Sequence, residues 1–402
     1  MKILHINGTS YGGAANFVFN LHKKLMNIKT VSSYVYVPKK RNVENIIYPQ
    51  SIFFKFNYLT KILITKILNR IFIKSNQTIT LSLLKSYEIK KVIKKINPDL
   101  INIHWLGNEF MSLKEINSLK VPIVWTLHDM WLLSPYSHYF NDNEFDKIKK
   151  RQLSLFSKYL LNKKIKLKHK NIKFIPTSDW MLNRFNESNI YKENQLKKIT
   201  CGINFEEWFP ENKNNSKEIF SLDRNKKIIL FLAMGGNNPR KGLDTLAKSL
   251  KLVKQEFQLV IAGDQFPTIV KDTKFKFIDY PKDINTLRSL YSASDCLVVP
   301  SNLEAFGLVS LEAAACNTPS VIFENTGLTE IINHKENGYI SKFGDISDYA
   351  NGIDWVLNEI SKNPRKFSSI STQVKSKFDI NDVSHKYLDI YNNLINYNKI
   401  VR

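Results

Sequence analysis

Cysteine is rare in this 402-residue sequence, which has only Cys201, Cys296 and Cys316, at spacings that fit no metal-binding pattern. A sparse, odd cysteine count is typical of a reducing compartment. The sequence also lacks the ~18 consecutive apolar residues that a membrane-spanning helix needs. Its start, MKILHINGTSYGG, has too short an apolar run for a signal peptide. These absences predict a cytoplasmic protein.

Acidic residues are scarce in the first half of the chain. Residues 1–210 contain 34 Lys and Arg against 14 Asp and Glu, whereas residues 211–402 contain 25 against 22, so that +20 of the formal net charge of +23 falls in the first half. Such a basic half favours polyanionic partners, namely nucleic acid, acidic lipid headgroups or phosphorylated ligands. Because RNA-recognition signatures and zinc fingers are absent, nucleic-acid binding is the weaker alternative, and no nucleic-acid partner is expected.

Strand-length apolar runs alternate with helix-period segments in both halves. The strand candidates are KILHIN, SYVYVP, DLINIHW, PIVWTLHD and IKFIPTS in the first half, and KIILFLAM, FQLVIAGD, FKFID, DCLVVPS and PSVIF in the second. This alternation predicts an α/β protein with two Rossmann-like, doubly wound parallel-sheet domains. The expected division is an N-terminal domain at 1–205, a linker at 206–225, a C-terminal domain at 226–380 and a helix at 381–402 that packs back toward the N-terminal domain.

Loops at the carboxyl ends of parallel strands are where ligands bind. The loop GTSYGGAAN follows the first strand, and Gly12 and Gly13 allow its backbone to approach a ligand at a helix N-terminus. The full G-x-G-x-x-G pattern is absent, so a plain tight turn is the alternative.

The loop AMGGNNPRKGLDTL follows the first strand of the second half. It combines glycines with Arg240, Lys241 and a helix start, which favours a phosphate site. The spacing of a P-loop is absent, and the loop by itself favours a solvated basic turn. Together with the segment SNLEAFGLVSLEAAAC, a phosphate site is the favoured interpretation.

The segment SNLEAFGLVSLEAAAC carries two glutamates, Glu304 before a predicted helix and Glu312 about two turns into it. The main-chain N–H groups of Phe306, Gly307, Leu308 and Val309 are expected to face a phosphate. Two hydroxyl-binding carboxylates around an anion site fit a ligand with a sugar, a diphosphate and a ribose. The alternative, two chance glutamates on an amphipathic helix, conflicts with the apolar residues around them.

The segment EAFGLVSLE resembles the E-x7-E motif of the retaining family-four glycosyltransferases, which have the GT-B fold. PRKGLDTL, LYSASDCLVVPS, NTPSV and TGLTEIINHKENGY extend the resemblance. GGAANFVFNLHKKL, IHWLGNEF and PIVWTLHDMW are similar to the branch that builds exopolysaccharides such as colanic acid. The resemblance implies two Rossmann-like domains facing an interdomain cleft, a nucleotide-diphosphate sugar as donor substrate, and neither a cofactor nor a metal.

The resemblance also implies roles in the second half. Glu312 is expected to bind the ribose and Glu304 the hydroxyls of the donor sugar. Lys241, with Arg240, is expected to neutralise the departing diphosphate. Relatives often carry a further arginine where this chain has Gly235, so Arg240 substitutes for it or the grip on the phosphates is weaker.

In the first half, the resemblance implies that Gly13 approaches the diphosphate and that His128 lies near the reacting sugar. His104 and Trp105 end a neighbouring strand and are expected, with Asp129, on the acceptor side. A Trp there either stacks on an acceptor sugar or belongs to the core. Asp129 either accepts a proton from the acceptor or caps the next helix.

The segment 52–74 predicts a basic amphipathic helix, in which Lys61, Lys66, Arg70 and Lys74 alternate with an apolar face formed by Leu59, Ile62, Leu63, Ile67, Leu68 and Ile71. It either binds an anionic membrane surface or covers the sheet inside the domain. The lysines from Lys158 to Lys173 are interpreted as a solvated helix face, and Asp142, Glu144 and Asp146 as an exposed acidic loop rather than a metal site.

The sequence as a whole predicts a retaining glycosyltransferase that transfers a sugar from a nucleotide-diphosphate sugar to a lipid-linked saccharide in surface polysaccharide biosynthesis. The expected location is the cytoplasm, with a peripheral position on the inner membrane face left open. The alternatives are a nucleotide-sugar epimerase on the same fold and, less favoured, a nucleic-acid-binding protein.

Overall fold

The computed structural model describes residues 1–169, 171–192, 195–235, 238–263 and 275–401, with side chains except at 168, 169 and 398–401. Gly236 and Asn237 of the predicted glycine-rich loop and Lys170 of the lysine-rich run lie outside the described residues. The chain forms two compact units. We call Met1–Gly202 with Asn381–Arg402 the N-terminal unit and Ile203–Ile380 the C-terminal unit.

The described part of the N-terminal unit contains one parallel sheet of six strands in the order β3-β2-β1-β4-β5-β6. Nearly every residue of its central strands is buried, because helices flank the sheet and apolar runs are therefore required on both faces. The strands are β1 Lys2–Ile6, β2 Ser32–Tyr36, β3 Ile46–Ile47, β4 Leu100–Ile103, β5 Ile123–Leu127 and β6 Ile172–Pro176.

The helices of this unit connect the strands in the right order for a doubly wound fold. They are α1 Gly13–Met26, α2 Ile52–Leu68, α3 Glu88–Ile96, α4 Leu113–Asn117, α5 Asp142–Lys149, α6 Leu155–Ile165 and α7 Asp179–Ser188. A π-helical turn, Asn69–Ile73, continues α2, and the acidic segment expected to be a loop begins α5, where Asn141 and Glu144 form a capping box.

The described part of the C-terminal unit contains a second six-stranded parallel sheet, in the order β12-β11-β10-β7-β8-β9. Its elements are α8 Lys213–Ile219, β7 Lys227–Ala233, α9 Leu243–Leu250, β8 Phe257–Gly263, β9 Phe275–Asp279, α10 Ile284–Ala293, β10 Cys296–Val299, α11 Leu308–Ala315, β11 Ser320–Phe323, β12 Gly338–Ser341, α12 Ile346–Lys362 and α13 Ile370–Phe378. The two sheets confirm the predicted α/β class.

The last helix, α14 Ile380–Val401, belongs almost entirely to the N-terminal unit. The hydroxyl of Tyr391 accepts a 2.6 Å hydrogen bond from Asn102 of β4, and the hydroxyl of Tyr387 lies 3.1 Å from that of Thr126 of β5. Two buried tyrosines thus fasten the end of the chain to the central strands of the first sheet.

The segment expected to be a linker differs from the prediction, since α8 lies within it. The side chain of Asn212 accepts hydrogen bonds from the N–H groups of Asn214 and Asn215, and Lys213 pairs with Asp295 at 2.9 Å. A short polar helix held by a cap and an ion pair has no apolar periodicity, and its sequence pattern therefore resembles a loop.

The orientation of helix α2 differs from the prediction that Lys61 lies on an exposed basic face. Lys61 is buried, and its Nζ donates to the main-chain oxygen of Glu109. Leu59, Leu63 and Ile67 of the predicted apolar face are exposed instead of covering the sheet. No helix among the described residues is long and apolar enough to cross a membrane.

Candidate active site

Two loops of the C-terminal unit emerge side by side, because they follow the neighbouring parallel strands β7 and β10. A short 3-10 helix, Pro239–Lys241, lies in the first loop, and Asn238 caps it by accepting the N–H of Arg240 at 3.0 Å. The N–H of Asn302 in the second loop donates to the main-chain oxygen of Arg240 at 2.9 Å. This contact ties the basic loop to the loop that carries Glu304.

Gly242 makes the close approach of the two loops possible. Its φ is 74°, and a Cβ at this position would lie 1.9 Å from the main-chain oxygen of Pro300. Only glycine combines this left-handed backbone with so little space. The residue before it, Lys241, is therefore held close to the second loop.

Glu304 receives both cations of the basic loop. Its Oε2 lies 2.8 Å from Nζ of Lys241 and 3.2 Å from Nη1 of Arg240, and Arg240 also donates to the main-chain oxygen of Leu303 at 2.6 Å. Although burial opposes ionisation, the charges of Lys241 and Arg240 lower the pKa of Glu304 to about 2. Burial and the neighbouring Arg240 lower the pKa of Lys241, whereas Glu304 works in the opposite direction.

The start of α11 lies directly after Glu304. Gly307, with φ of 90°, is the N-cap, and Leu308 is the first helical residue, so the early N–H groups of the helix lack intrahelical partners. Of the four residues predicted to present N–H groups, Leu308 and Val309 lie in the helix, whereas Phe306 precedes it with a buried side chain.

A glycine in the TGLTE segment holds the Glu304 loop in place. The N–H of Gly327 donates to the main-chain oxygen of Glu304 at 2.7 Å, and a Cβ on Gly327 would lie 2.1 Å from the oxygen of Ala305. The sequence analysis assigned no role to Gly327, although a glycine between two apolar segments is a signal of close backbone approach.

Glu312 is buried in the second turn of α11, and Tyr291 of α10 donates a 2.9 Å hydrogen bond to its Oε2. Burial raises the pKa of Glu312 from 4.5 to about 7, and the hydrogen bond from Tyr291 offsets part of that effect. Sequence reasoning missed Tyr291, because a tyrosine at an apolar position of an amphipathic helix looks like an ordinary core residue.

In the N-terminal unit, the glycine-rich loop after β1 leads directly into α1. Gly13 is the first residue of the helix, and Gly12 is its N-cap, with φ of 87° and open space where a Cβ would be. The backbone there is both accessible and next to free helical N–H groups. The backbone at Gly12 and Gly13 can therefore approach an anion closely.

Three histidines form a row along the neighbouring strands β1, β4 and β5. Nε2 of His128 lies 3.2 Å from Nδ1 of His104, whose Nε2 lies 3.1 Å from Nδ1 of His5. His104 and His5 are fully buried, whereas His128 is half-buried, and Phe17 of α1 packs edge-on against both His104 and His128. His104, which was expected on the acceptor side, is thus buried within the row, and His5 was not among the predicted site residues.

Burial lowers the pKa of each member of this row. The pKa is about 4 for His128 and about 3 for His5, and that of His104 lies well below 6.5. All three imidazoles are therefore neutral at neutral pH, and His128 can act as a hydrogen-bond partner but not as a cation.

Asp129 is engaged in local contacts. Its Oδ1 accepts the N–H of Trp131 at 2.9 Å, and its Oδ2 lies 2.5 Å from Nδ1 of His138. Burial alone would raise its pKa, but the charge and hydrogen bond of His138 lower it overall. These contacts favour the capping alternative over an acceptor base. The ring of Trp105, which is half-buried, lies 5.2 Å from that of His138.

No group of three or more His, Cys, Asp or Glu that could hold a metal ion occurs in the part of the chain that the structure describes. The three cysteines are buried and free.

Two protein families match successive parts of the chain. The family described as Glycosyltransferase Family 4 matches residues 11–207, and the family described as Glycosyl transferases group 1 matches residues 212–373. Between them the two matches include His104 and His128 of the histidine row and the whole Glu304 and Glu312 region.

Individual proteins show the same similarity. An uncharacterized glycosyltransferase of Methanocaldococcus jannaschii is 29% identical over 50% of this chain and 54% of its own length. The capsular polysaccharide biosynthesis glycosyltransferase CapM of Staphylococcus aureus is 23% identical over 55% of this chain and 61% of its own. The chain thus spans little more than half the length of these curated relatives. HepE of Anabaena, solved in complex with UDP and glucose, superposes with a TM-score of 0.68 at 16% identity, covering 98% of this chain and 100% of its own, which shows a shared GT-B fold.

Proposed function

The chain belongs to the family 4 and group 1 glycosyltransferases, and from that premise we propose that it transfers a sugar from a nucleotide-diphosphate sugar to a saccharide. The observation that carries the proposal is the cluster in which Lys241 and Arg240 share one carboxylate oxygen of Glu304 beside the start of α11. In the reaction, the bond between the anomeric carbon and the diphosphate oxygen breaks, a hydroxyl oxygen of the acceptor forms the new bond to that carbon, and the departing diphosphate takes up the hydroxyl proton. Negative charge grows on the diphosphate as its bond to the sugar breaks. Fixed cations and helix N–H groups stabilise that charge in the transition state.

Individual roles follow from this chemistry. Lys241 and Arg240, with the N–H groups of Leu308 and Val309, receive the diphosphate, and Glu304 binds hydroxyls of the donor sugar. Glu312, the second carboxylate, binds the ribose, whose hydroxyls donate to it as Tyr291 already does.

The N-terminal unit contributes in a similar way. We assign Gly13, with Gly12 before it, to the diphosphate and His128 to the reacting sugar. Trp105, Asp129 and His104 are assigned to the acceptor side. Trp105 contacts the acceptor, whereas Asp129 and His104 act there without touching it. The neutral state of His128 suits a hydrogen-bond partner for a sugar that gains positive charge, because an imidazolium would oppose that charge.

The finer features of the proposal are retention at the anomeric carbon, a lipid-linked acceptor and a role in surface polysaccharide synthesis at the cytoplasmic face of a membrane. The description of CapM as a capsular polysaccharide enzyme supports the role in surface polysaccharide synthesis, and the UDP and glucose bound to HepE support a nucleotide sugar as donor. No metal or other cofactor takes part in the proposed reaction.

A thermal-shift screen against a panel of nucleotide-diphosphate sugars tests the proposal, because a specific donor raises the melting temperature by mass action. We expect one donor to shift the wild type, and we expect the Lys241→Met variant to lose most of that shift. Transfer to acceptors, with the anomeric configuration of the product read by NMR, then tests retention. Conversion of the donor into a different nucleotide sugar without any acceptor would favour the epimerase instead.

A further inference from the structure

Helix α2 presents its apolar side outward. Six large apolar residues are exposed, from 48% for Ile67 to 84% for Ile52, and these are Ile52, Phe53, Phe56, Leu59, Leu63 and Ile67. At 100° per residue they form one stripe about a third of the helix circumference wide. A single exposed apolar residue is ordinary, but a continuous stripe marks an interaction site. We call these six residues the α2 stripe.

Buried polar contacts fix α2 in this orientation. Lys61 and Thr65 lie on the side opposite the stripe, and both bond to Glu109, Lys61 through the main-chain oxygen and Thr65 through the carboxylate. The same carboxylate accepts the N–H groups of Leu81 and Ser82 at 2.6 and 2.8 Å. Rotating the helix to bury the stripe would take Lys61 and Thr65 away from the buried Glu109 and expose two polar side chains that the fold now buries in its place, so the exposed stripe is a built feature of the fold.

The apolar surface continues onto α6. Ile71 and Phe72 of the π-helical turn are 58% and 54% exposed, and the ring of Phe72 lies 5.0 Å from that of Phe156. Leu155, next to Phe156, is 86% exposed, and Tyr159 is exposed one turn further on. Two helices that are distant in sequence thus contribute to one surface.

The two segments that form this surface are rich in Lys and Arg and contain no acidic residue. Residues 45–87 contain six Lys and Arg and no Asp or Glu, and residues 147–178 contain eleven and none. Lys55 and Lys66 are exposed at the edge of the α2 stripe, Arg70 and Lys74 are exposed just beyond it, and Lys158 is exposed on α6. The lysine run interpreted above as a solvated helix face therefore belongs in part to a mixed apolar and cationic surface.

We propose that the α2 stripe, with Ile71, Phe72, Leu155 and Tyr159, docks this protein on the surface of an anionic lipid bilayer. Apolar side chains enter the boundary between headgroups and acyl chains while the surrounding lysines contact lipid phosphates. A second copy of the chain fits this surface less well. A symmetric pair would bring the same Lys55, Lys66 and Arg70 of each copy together, and the acid-free segments offer no carboxylate to balance them.

Docking on a bilayer rests on the proposed function in one respect: a lipid-linked acceptor would explain why the protein binds a membrane. Its test therefore uses no donor and no acceptor. The full chain is floated with vesicles of phosphatidylglycerol and phosphatidylcholine, and separately with vesicles of phosphatidylcholine alone. We expect binding to the anionic vesicles that weakens as salt is raised, and little binding to the neutral ones.

Two double variants separate the contributions. Phe56→Glu with Leu63→Glu places charge in the stripe and is expected to lower the vesicle partition coefficient by at least about tenfold. Lys66→Gln with Arg70→Gln is expected to lower it by about tenfold or more. The matched controls are Ile219→Glu, an exposed apolar residue of the C-terminal unit, and Lys375→Gln with Lys377→Gln, two exposed lysines on α13, and both are expected to bind as the wild type does.

A Phe53→Trp variant reports insertion directly. Its fluorescence is expected to move to shorter wavelength on anionic vesicles and to be quenched by brominated acyl chains. The proposal is overturned if the wild type fails to float with anionic vesicles, or if the stripe variants float as well as the controls. It is also overturned if the stripe variants instead convert a dimer to a monomer in light scattering, or abolish binding to an oligonucleotide, while vesicle binding stays unchanged. Transfer to a soluble acceptor measured in parallel distinguishes these failures from a failure of the proposed function.

Discussion

Nζ of Lys241 lies 2.8 Å from Oε2 of Glu304, and Nη1 of Arg240 lies 3.2 Å from the same oxygen. Two cations therefore share one carboxylate oxygen. The pair is adjacent to the start of α11, where helix N–H groups also favour an anion. The cluster is thus prepared for a diphosphate before any ligand is present.

Removing the charge of Lys241 should weaken catalysis more than stability. We expect Lys241→Met to lower kcat/KM for the donor by about 10²–10³-fold, as for the loss of one preorganised donor at a developing anion. Steady-state kinetics with the donor found in the thermal-shift screen measure the effect. Lys248→Met, an exposed lysine on α9, is the matched control and should leave kcat/KM unchanged. Equal rates in both variants would contradict the assignment of Lys241.

The sequence alone was sufficient to predict the α/β class and the edge of each sheet at which functional residues are expected. The strand in PIVWTLHD is apolar apart from Thr126, as expected of a parallel strand covered on both faces, and His128 follows it directly. Lys241 lies in the loop that follows the apolar strand β7. The orientation of α2 could not be predicted in the same way. Its pattern has two faces, and only the partner of Lys61, a main-chain oxygen 48 residues away at Glu109, determines which face is buried.

The pairings within the candidate site were also beyond the sequence. His5, His104 and His128 are far apart in the chain and meet because β1, β4 and β5 are adjacent. Tyr291 meets Glu312 because α10 packs beside α11. A single sequence shows residue types at strand ends, but the contacts between them depend on register and helix packing.

Glu312 should make stability depend on pH. Burial raises its pKa from 4.5 to about 7, so the folded chain keeps a proton that the unfolded chain releases above about pH 4.5. The free energy of unfolding of the wild type therefore falls as pH rises between these values. Glu312→Gln imitates the protonated form, and we expect it to match the wild type near pH 4 and to exceed it by about 3 kcal/mol at pH 8.

Chemical unfolding of both proteins across this pH range measures the difference. Glu256→Gln, at an exposed position, should give no pH-dependent gain. If Glu312 also binds the ribose, the stabilised Glu312→Gln variant should have a donor KM that is roughly tenfold higher, as expected for the loss of a hydrogen bond to a charged group. A parallel gain in stability and donor affinity would argue against a ribose contact.

The histidine row should fix the tautomer of His128. Nε2 of His5 is buried and has no partner among the described residues, and an unpaired acceptor is tolerated in a protein interior better than an unpaired N–H. We therefore expect His5 to carry its proton on Nδ1 and donate to His104, which in turn donates to Nε2 of His128. His128 then presents Nδ1–H as a donor.

Substitution of His5 tests this order of protons. His5→Leu removes the donor and is expected to lower kcat by about tenfold with little change in donor KM. His5→Asn, whose amide N–H replaces Nδ1–H, is expected to keep kcat within about twofold of the wild type. Melting temperatures of the two variants show whether folding is affected. The same kcat in both would mean that the row does not act through the proton on His5.

Gly242 and Gly344 form a matched pair for separating backbone strain from lack of space. Their φ angles are 74° and 73°, but a Cβ on Gly242 would lie 1.9 Å from the oxygen of Pro300, whereas a Cβ on Gly344 would meet nothing within 4 Å. We expect Gly344→Ala to cost about 1 kcal/mol of unfolding free energy, the ordinary penalty of a left-handed alanine. Gly242→Ala should cost about 3 kcal/mol of unfolding free energy, because the backbone of the two loops must also move apart.

Since Lys241 moves with that backbone, only Gly242→Ala should also weaken donor binding in the thermal-shift assay. Equal losses of stability in the two variants would show that the two loops can separate freely, and the cluster at Glu304 would then depend on its ion pairs rather than on the packing of Gly242 against Pro300.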